Sequence, residues 1–274
     1  MAGIALHPIV LVRGSGDVGS AVAHGLFAAG YRALICDGPL PAAPRRGMAF
    51  ADAIFDGGCV LEGLEARRVD AVADLRAAVT ERGAIAVSTA EIAAVLDAVA
   101  PAVLVDARMR KRARPERQRD LAPLTLGLGP GFVAGETVDL AIETQWGEHL
   151  GDVLQSGATR QLEGEPRSFA DHGRERFVYA PLAGVMRTRA QIAQHVHAGE
   201  RVATIAAAEL VAPLDGILRG LTHDGVPVEA GTKVLEVDPR GDPKAVIGIG
   251  KRPRRIAEGV LGAIESRAAA IQAP

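Results

Sequence analysis

A segment in the second half of the chain occurs twice at a spacing of 32 residues, and no other feature constrains the fold more strongly. The run from Ala180, Ala-Pro-Leu-Ala-Gly-Val-Met-Arg, returns from Ala212 as Ala-Pro-Leu-Asp-Gly-Ile-Leu-Arg. Over 26 aligned positions nine residues are identical, and the alignment needs no gap. Each unit is typical of a strand, a glycine turn, a strand, an Ala-Gly turn and a third strand. Because such a unit cannot bury its apolar face alone, we expect the two to pair into one small β sandwich.

This pairing resembles the biotinyl/lipoyl-type barrel, which is built from two such halves and carries a modified lysine in the hairpin between them. Here the link, residues 206–211, holds no lysine, and the chain has only four lysines, at positions 111, 233, 244 and 251. We therefore exclude a biotin or lipoate carrier. We expect a barrel-sandwich domain over residues 177–250, with a structural or docking role.

The first half opens with a pattern that is typical of nucleotide-binding folds. A short apolar run leads into Gly14, Gly16 and Gly19, spaced as G-x-G-x-x-G, and a helical stretch follows. In this pattern the first glycine permits a tight turn, the second lets backbone approach a phosphate, and the third lets the helix pack close to the strand. The next apolar run ends at Asp37, where a carboxylate can hold ribose hydroxyls. Asp17 would repel a pyrophosphate, so a glycine turn that serves packing alone is the alternative.

Apolar runs and helical stretches alternate up to residue 106, which predicts a Rossmann-like, doubly wound parallel sheet over residues 1–110. The strands of such a sheet end at one edge, where ligands usually bind. A proline-rich loop that ends in two arginines could clamp an anion beside this edge. A capping or turn role is the alternative for each residue. The candidate binding residues at the edge are Gly14, Ser15, Gly16, Asp17, Gly19, Asp37, Arg45, Arg46, Ser88, Thr89, Asp106 and Arg108.

A basic run and a glycine-rich loop follow, within a segment that we place at residues 111–176. Seven of the twelve residues from Arg108 to Arg119 are basic, as in a solvated connector or a lid that grips a phosphate-bearing ligand. In the loop Gly-Leu-Gly-Pro-Gly-Phe, Gly129 and Gly131 can free backbone amides for an anion. The last segment, residues 251–274, is predicted as a helix from about Arg255 to Ile271.

Composition excludes several classes of function. A net charge of −2 and 3% aromatic residues argue against a nucleic-acid binder. Two cysteines without a Cys-x-x-Cys motif exclude a disulfide scaffold and a thiolate zinc site, which favours a cytoplasmic protein. No metal site is predicted, because His195 and His197 lack a third ligand at a telling spacing. The most apolar stretch is broken by charged residues and a proline, so no membrane span is expected.

Over nearly its full length the chain resembles the selenium-dependent molybdenum hydroxylase system protein (YqeB) family. The resemblance implies an accessory protein in the maturation of a molybdenum hydroxylase, related in role to xanthine dehydrogenase maturation factors. The implied ligand is a nucleotide (NAD-like) or a molybdopterin-type cofactor, and the implied partner is the client hydroxylase. The segments that carry the resemblance are the opening Val-Arg-Gly-Ser-Gly-Asp, Arg45 with Arg46, the run 127–132, Glu143 with Thr144, both repeats, and Val-Asp-Pro-Arg-Gly-Asp-Pro at 237–243.

Two other functions stay open at this point. An NAD(P)-dependent oxidoreductase needs a His, Lys or Tyr near the hydride acceptor. Lysine is absent before position 111, Tyr31 precedes the second strand and His24 lies within a helix, which disfavours that function. A non-catalytic scaffold with an empty nucleotide site is the third. The sequence leaves open whether the protein is an enzyme, whether it forms a homo-oligomer and whether selenium is involved.

Overall fold

The computed structural model describes residues 8–110, 115–161 and 167–267. The strands up to residue 158 are β1 (Ile9–Arg13), β2 (Arg32–Cys36), β3 (Gly58–Leu61), β4 (Leu64–Arg68), β5 (Ile85–Ser88), β6 (Val103–Asp106), β7 (Leu124–Leu128), β8 (Val133–Ala134), β9 (Leu140–Ile142), β10 (Val153–Leu154) and β11 (Gly157–Ala158). The helices are α1 (Asp17–Ala28), α2 (Asp52–Asp56), α3 (Leu75–Glu81), α4 (Ile92–Val99) and α5 (Lys251–Ser266).

Nine of these strands form one mixed sheet in the order β10-β9-β7-β6-β1-β2-β5-β4-β3. The seven strands from β9 to β4 run parallel, whereas β10 pairs with β9, and β3 with β4, in antiparallel fashion. The small strands β8 and β11 pair separately. Both edges of the sheet therefore end in a reversed strand.

Strand β1 lies at the centre because both of its faces are covered. Val10 and Val12 belong to one buried cluster, while Ile9 and Leu11 belong to another, as the two-residue side-chain period of a strand requires. Helices α1 and α5 pack over the first face, and α3 and α4 over the second. The segment 251–267 thus packs against the same sheet to which β1 belongs.

Helix α5 packs on α1 through one apolar side. Ile256, Val260, Ala263 and Ile264 are buried at the spacing of one helix face. The predicted C-terminal helix is present, although it begins earlier, at Lys251; its predicted end lies outside the described residues. The core over this face draws on three of the four predicted segments, those at 1–110, 111–176 and 251–274. The segment bounds themselves stay a prediction.

The second half forms two four-stranded antiparallel sheets. The order of the first is β12-β19-β17-β14 and that of the second is β16-β15-β13-β18. Each sheet takes two strands from each sequence repeat, so neither repeat forms a sheet alone. The strands are β12 (Phe177–Tyr179), β13 (Gly184–Thr188), β14 (His195–Val196), β15 (Arg201–Ile205), β16 (Ala208–Val211), β17 (Gly216–Leu221), β18 (Pro227–Val228) and β19 (Lys233–Asp238).

Residues 44–55 connect the two halves. The amide of Leu221 donates to the carbonyl of Pro44 at 2.7 Å, and the amide of Gly248 donates to that of Gly47 at 2.9 Å. The ring of Phe55 stacks on His223 with centroids 3.9 Å apart. These contacts hold β17 and β19 against the carboxyl edge of the mixed sheet.

The predicted fold class is wrong. We expected a doubly wound parallel sheet, then a barrel-sandwich domain and a separate C-terminal helix. The sheet is mixed instead, it includes β7, β9 and β10 from the predicted connector, and α5 is part of its helical layer. Within the described ranges no helix has the length and apolar character needed to cross a bilayer.

Candidate functional site

The glycine loop between β1 and α1 is built by two crowded glycines and one open glycine. A Cβ at Gly19 would lie 2.0 Å from the carbonyl oxygen of Gly14, and Gly14 has a φ of +107°. Both positions therefore require glycine. At Gly16, among the described residues, no neighbouring atom lies within 4 Å of where a Cβ would be. Gly16 immediately precedes α1, so this open space lies in front of the helix N-terminus.

Asp37 stabilises this loop. The amide and the hydroxyl of Ser15 both donate to Oδ2 of Asp37 at 2.7 Å, and the amide of Gly38 donates to Oδ1 at 2.8 Å. The hydroxyl of Ser20 donates to the carbonyl of Ser15 at 2.8 Å and fixes the other side. The carboxylate that we expected to hold ribose hydroxyls therefore holds Ser15, and the ribose role is not supported.

Other predicted edge residues are engaged within the chain. The carbonyl of Ser88 accepts from the amide of Asp37, and its hydroxyl accepts from Ala90, so Ser88 closes a turn beside the half-buried Thr89. The buried carboxylate of Asp106 accepts from the guanidinium of Arg108 at 2.5–3.2 Å. Ser88, Asp106 and Arg108 therefore shape the edge, and their side chains already have partners within the chain.

The two arginines of the proline-rich loop contact different residues. Arg46 pairs with Asp52 at 2.7 Å, on the first residue of α2. Arg45 donates to Asp17 at 2.9 Å and, with Nε and a second nitrogen, to Glu236 on β19 at 3.0 and 3.3 Å. Of the two arginines, Arg45 alone lies beside the glycine loop, and the predicted anion clamp stays a prediction. The charge of Arg45 offsets that of Asp17, the residue that we expected to repel a pyrophosphate.

The second glycine loop is closely packed. The amide of Gly129 donates to the carbonyl of Ile142 at 3.1 Å, and a Cβ there would lie 2.9 Å from the hydroxyl of Thr144. A Cβ at Gly131 would lie 2.9 Å from Pro115. Both glycines have positive φ and pack closely against other residues. The paired amide of Gly129 is not free for a ligand, and the role of Gly131 stays a prediction.

The described part of the basic run is neutralised by carboxylates of the chain. Arg108 and Arg110 both pair with Glu116, Arg117 pairs with Asp120, and Arg119 pairs with Asp139. This pairing favours the connector over the lid for these residues. Lys111, Arg112 and Arg114 lie outside the described residues.

The most charged contact of the site was not predicted. Glu236 is fully buried on β19, and four cations approach its carboxylate: Arg45, Arg176, Arg219 and Lys233. The nearest nitrogens of Arg176, Arg45, Lys233 and Arg219 lie 2.9, 3.0, 3.1 and 3.4 Å from a carboxylate oxygen. We call these five residues the Glu236 cluster. Arg45 joins the cluster to Asp17 and hence to the glycine loop.

Arg252, on the first turn of α5, adds a further cation. Its Nε donates to the carbonyl of Thr144 at 2.7 Å. It is near enough to Asp17, Arg45 and Glu143 for their charges to shift its pKa, which burial lowers most. The carboxylate of Glu143 accepts hydrogen bonds from the amides of Thr144, Gln145 and Arg160.

Burial and mutual repulsion perturb the cations of this site. Burial and then the charge of Arg45 lower the pKa of Lys233 to about 8, against the opposing attraction of Glu236. The same two causes lower the pKa of Arg219. Burial alone would raise the pKa of Glu236, but Arg45 and Lys233 hold it well below its usual range. The site therefore carries concentrated positive charge with little water around it.

Two signals in the sequence could have revealed the Glu236 cluster. The strand Lys-Val-Leu-Glu-Val-Asp places an acid within an otherwise apolar run. The repeat offers the second signal, since position 236 corresponds to Thr204 and position 238 to Ala206. Where two copies diverge from neutral to charged residues, one copy has acquired a contact that the other lacks.

Comparisons with known proteins give one relative and several weak structural likenesses. No family model matches the chain. Over 258 residues, or 94% of its length, the chain is 38% identical to the uncharacterized protein YqeB of Escherichia coli (strain K12). It spans about half, 47%, of that relative's length.

Two solved structures illustrate the structural likenesses. The ectoine utilization protein EutE (DoeB) of Ruegeria pomeroyi is 12% identical, with 85% of each chain covered and a TM-score of 0.24. A succinylglutamate desuccinylase/aspartoacylase of Rhodobacter sphaeroides is 17% identical, with 84% of this chain and 85% of that chain covered and a TM-score of 0.27. At such TM-scores neither likeness supports an inference about fold or activity.

Proposed function

We propose that this relative of YqeB is an accessory protein that binds a phosphate-bearing ligand at the carboxyl edge of its mixed sheet and serves the maturation of a molybdenum hydroxylase. The ligand would be a nucleotide or a molybdopterin-type cofactor. One observation carries the binding part of the proposal: the open space at Gly16, in front of α1, adjoins the cations of the Glu236 cluster. The maturation part rests on the family resemblance described above.

The chemistry of the edge suits a phosphate. The first amides of a helix have no partners within it, and the helix dipole favours negative charge at that end. Gly16 places no side chain in front of the helix, and of the first amides that of Val18 already donates to Oδ1 of Asp17 at 3.1 Å. Arg45 offsets Asp17, and Lys233 adds a charge from the second half.

A pair of matched variants tests the binding proposal. Gly16 has a φ of −67° and a ψ of −179°, which any residue adopts, so Gly16→Gln and Gly16→Glu should both fold. Binding of NAD, NADP, ADP and a molybdopterin compound would be measured by calorimetry for the wild type and both variants. We expect at least one ligand to bind the wild type, and the Glu variant to bind it at least tenfold more weakly than the Gln variant. If none of the compounds binds the wild type, the scaffold function is favoured instead.

A cellular experiment tests the maturation proposal separately. In a strain that carries this protein and a molybdenum hydroxylase, the gene would be deleted and the hydroxylase followed by immunoblot and by activity. We expect the hydroxylase polypeptide to accumulate without activity, and the Gln variant at Gly16 to restore more activity than the Glu variant. Full hydroxylase activity in the deletion strain would contradict the proposal.

An NAD(P)-dependent oxidoreductase gains one observation from the fold. Lys233 comes from the second half and pairs with Glu236, the partner of Arg45, at 3.1 Å, and its pKa of about 8 suits proton transfer near neutral pH. Turnover of NAD(P)H with small carbonyl compounds, lost in Lys233→Met, would favour this function over the accessory one.

A further inference from the structure

The charges around the glycine loop and the Glu236 cluster do not balance. Among the described residues, five cations of this site meet three carboxylates, which leaves a surplus of two positive charges. The cations are Arg45, Arg176, Arg219, Lys233 and Arg252, and the carboxylates are Asp17, Glu143 and Glu236. Asp238, which also pairs with Arg219, is matched by Arg240 at 2.5 Å.

This surplus lies where water screens it poorly. The side chains of Arg176 and Arg219 are 2% and 8% exposed, and Nε of Arg219 has no hydrogen-bond partner among the described residues. A buried charge without a counter-charge costs several kcal/mol. The arrangement therefore favours an anion as the natural complement of the site.

The two most accessible cations of the cluster indicate where such an anion would bind. Arg45 and Lys233 are 27% and 28% exposed. The charges of both act to lower the pKa of Asp17 at the start of α1. Arg252 influences Asp17 from the start of α5. Arg45 contacts the first residue of α1 directly, at 2.9 Å, while Lys233 joins it through Glu236 and Arg252 adds positive charge from the first turn of α5.

We infer that the site binds a dianionic phosphate group between the two halves of the chain, with Arg45, Lys233 and Arg252 as its cationic ligands and the N-terminus of α1 as its fourth wall. This inference rests on the proposed function, because it assigns the charge and the position of the anionic group of the same ligand. A dianion would match the surplus of two. Acetate or chloride, with one charge, would match it less well.

Two sources share this chemistry. The diphosphate bridge of a nucleotide cofactor carries two negative charges, and so does a fully ionised phosphate monoester, such as the one a pterin cofactor bears. A diphosphate bridge lies in the middle of its ligand, whereas a phosphate monoester lies at the end. The two sources therefore differ in which part of the ligand would bind at Gly16.

Two variants, each of which removes one lysine charge, provide the test and its control. Lys233→Met removes a proposed ligand, whereas Lys244→Met removes an exposed lysine that lies outside the site. Glu236 retains three arginine partners in Lys233→Met, so this variant should fold. Affinity for pyrophosphate, inorganic phosphate and acetate would be measured by calorimetry at constant ionic strength, and ADP and a pterin monophosphate would distinguish the two sources.

We expect pyrophosphate or phosphate to bind the wild type at least tenfold more tightly than acetate does. Lys233→Met should weaken that binding at least tenfold, and Lys244→Met by less than twofold. Equal weakening in the two variants, or equal binding of acetate, would overturn the inference. If ADP or a pterin compound binds but Lys233→Met changes nothing, this inference fails while the proposed function stands. If no phosphate compound binds at all, both fail.

The pH dependence of phosphate affinity distinguishes the loss of a ligand from a mere loss of protein stability. Lys233 loses its charge above about pH 8, whereas Arg45 and Arg252 keep theirs and Asp17 and Glu236 are ionised throughout. A phosphate monoester, with a second pKa of about 6, is almost fully ionised above pH 7, so this profile is measured with the monoester. Affinity of the wild type should therefore fall by up to tenfold per pH unit above pH 8, and that of Lys233→Met should stay constant between pH 7 and 9. Parallel profiles would contradict the assignment of Lys233.

Discussion

Replacing Glu236 by glutamine should destabilise the protein strongly while it preserves the shape of the side chain. Glu236 is the one carboxylate that Arg45, Arg176, Arg219 and Lys233 all approach within 3.4 Å. The amide keeps an acceptor oxygen but removes the negative charge. The four cations would then repel one another without a common counter-charge.

The size of the effect follows from burial. Two unit charges 4 Å apart attract by about 4 kcal/mol at an effective dielectric constant of about 20. Arg45 and Lys233 regain part of this from water, but Arg176 and Arg219 are 2% and 8% exposed and regain little. Breaking a buried ion pair costs about 3–5 kcal/mol, which we expect for Glu236→Gln. Typical domains have about 5–15 kcal/mol of total stability, so this loss is large.

Urea unfolding at pH 7, followed by circular dichroism, measures the difference. The control is Glu209→Gln, whose carboxylate pairs with Arg201 at 3.1 Å on an exposed surface of the second sheet. Exposed pairs contribute about 0–1 kcal/mol, so the control should change little. The pKa of Glu236 is lower in the folded than in the unfolded chain. Its contribution is therefore complete above the unfolded value of about 4.3 and decreases as the pH falls toward the folded value. A loss below 1 kcal/mol, equal to the control, would refute the account of the cluster.

Three further predictions concern the glycine loop, Lys233 and the thiols. Gly19→Ala should lower the melting temperature because its Cβ would lie 2.0 Å from the carbonyl oxygen of Gly14, whereas Gly16→Ala should leave it nearly unchanged; equal shifts would contradict the packing described. Lys233→Met should raise the free energy of unfolding at pH 7 by about 1–3 kcal/mol, since the pKa of Lys233 drops from about 10.4 to about 8 on folding, and this gain should vanish above pH 10.5. Chemical denaturation at pH 7 and pH 10.5 checks that prediction, and a constant difference would disprove it. Burial raises the pKa of the Cys36 and Cys59 thiols to about 11, so alkylation by iodoacetamide, followed by mass spectrometry, should be slow at pH 8 and rise toward pH 11; fast labelling at pH 8 would show that the thiols are accessible.

Local features could be predicted from the sequence, because neighbouring residues determine them. Gly14 and Gly19 lie in one turn and the helix that follows it, and each position requires glycine. The G-x-G-x-x-G spacing therefore predicts this local geometry. The repeat at a spacing of 32 likewise predicted matching strands, and β13 to β15 correspond to β17 to β19 at that spacing. A C-terminal helix was predicted as well, from about Arg255, whereas α5 begins at Lys251.

The direction and extent of the sheet could not be predicted in this way. Strands β3 and β10 are reversed through pairing with β4 and β9, and nothing in a short apolar run specifies the direction of its partner. The same limit applies to Gly129 and Gly131. Their sequence is typical of an anion-binding turn, but Thr144 and Pro115, which occupy the space, come from elsewhere in the chain.

The Glu236 cluster shows the corresponding limit for the site. Arg45 precedes Glu236 by 191 residues, and only the packing of the second half against residues 44–55 brings them together. We interpreted the shortage of lysines as the exclusion of a carrier arm. We did not connect these lysines with the binding site, yet one of the four, Lys233, belongs to the Glu236 cluster. Two of the five cations of this edge, Arg219 and Lys233, come from the segment to which we assigned a docking or structural role.

A crystal structure of the chain with pyrophosphate would test the central claim most directly. The account predicts density for the ligand in front of Gly16, within hydrogen-bond distance of Lys233 and Arg45, and none in the same crystals of Lys233→Met. Density at the loop of Gly129 and Gly131, or binding in front of Gly16 that is unchanged in Lys233→Met, would contradict it.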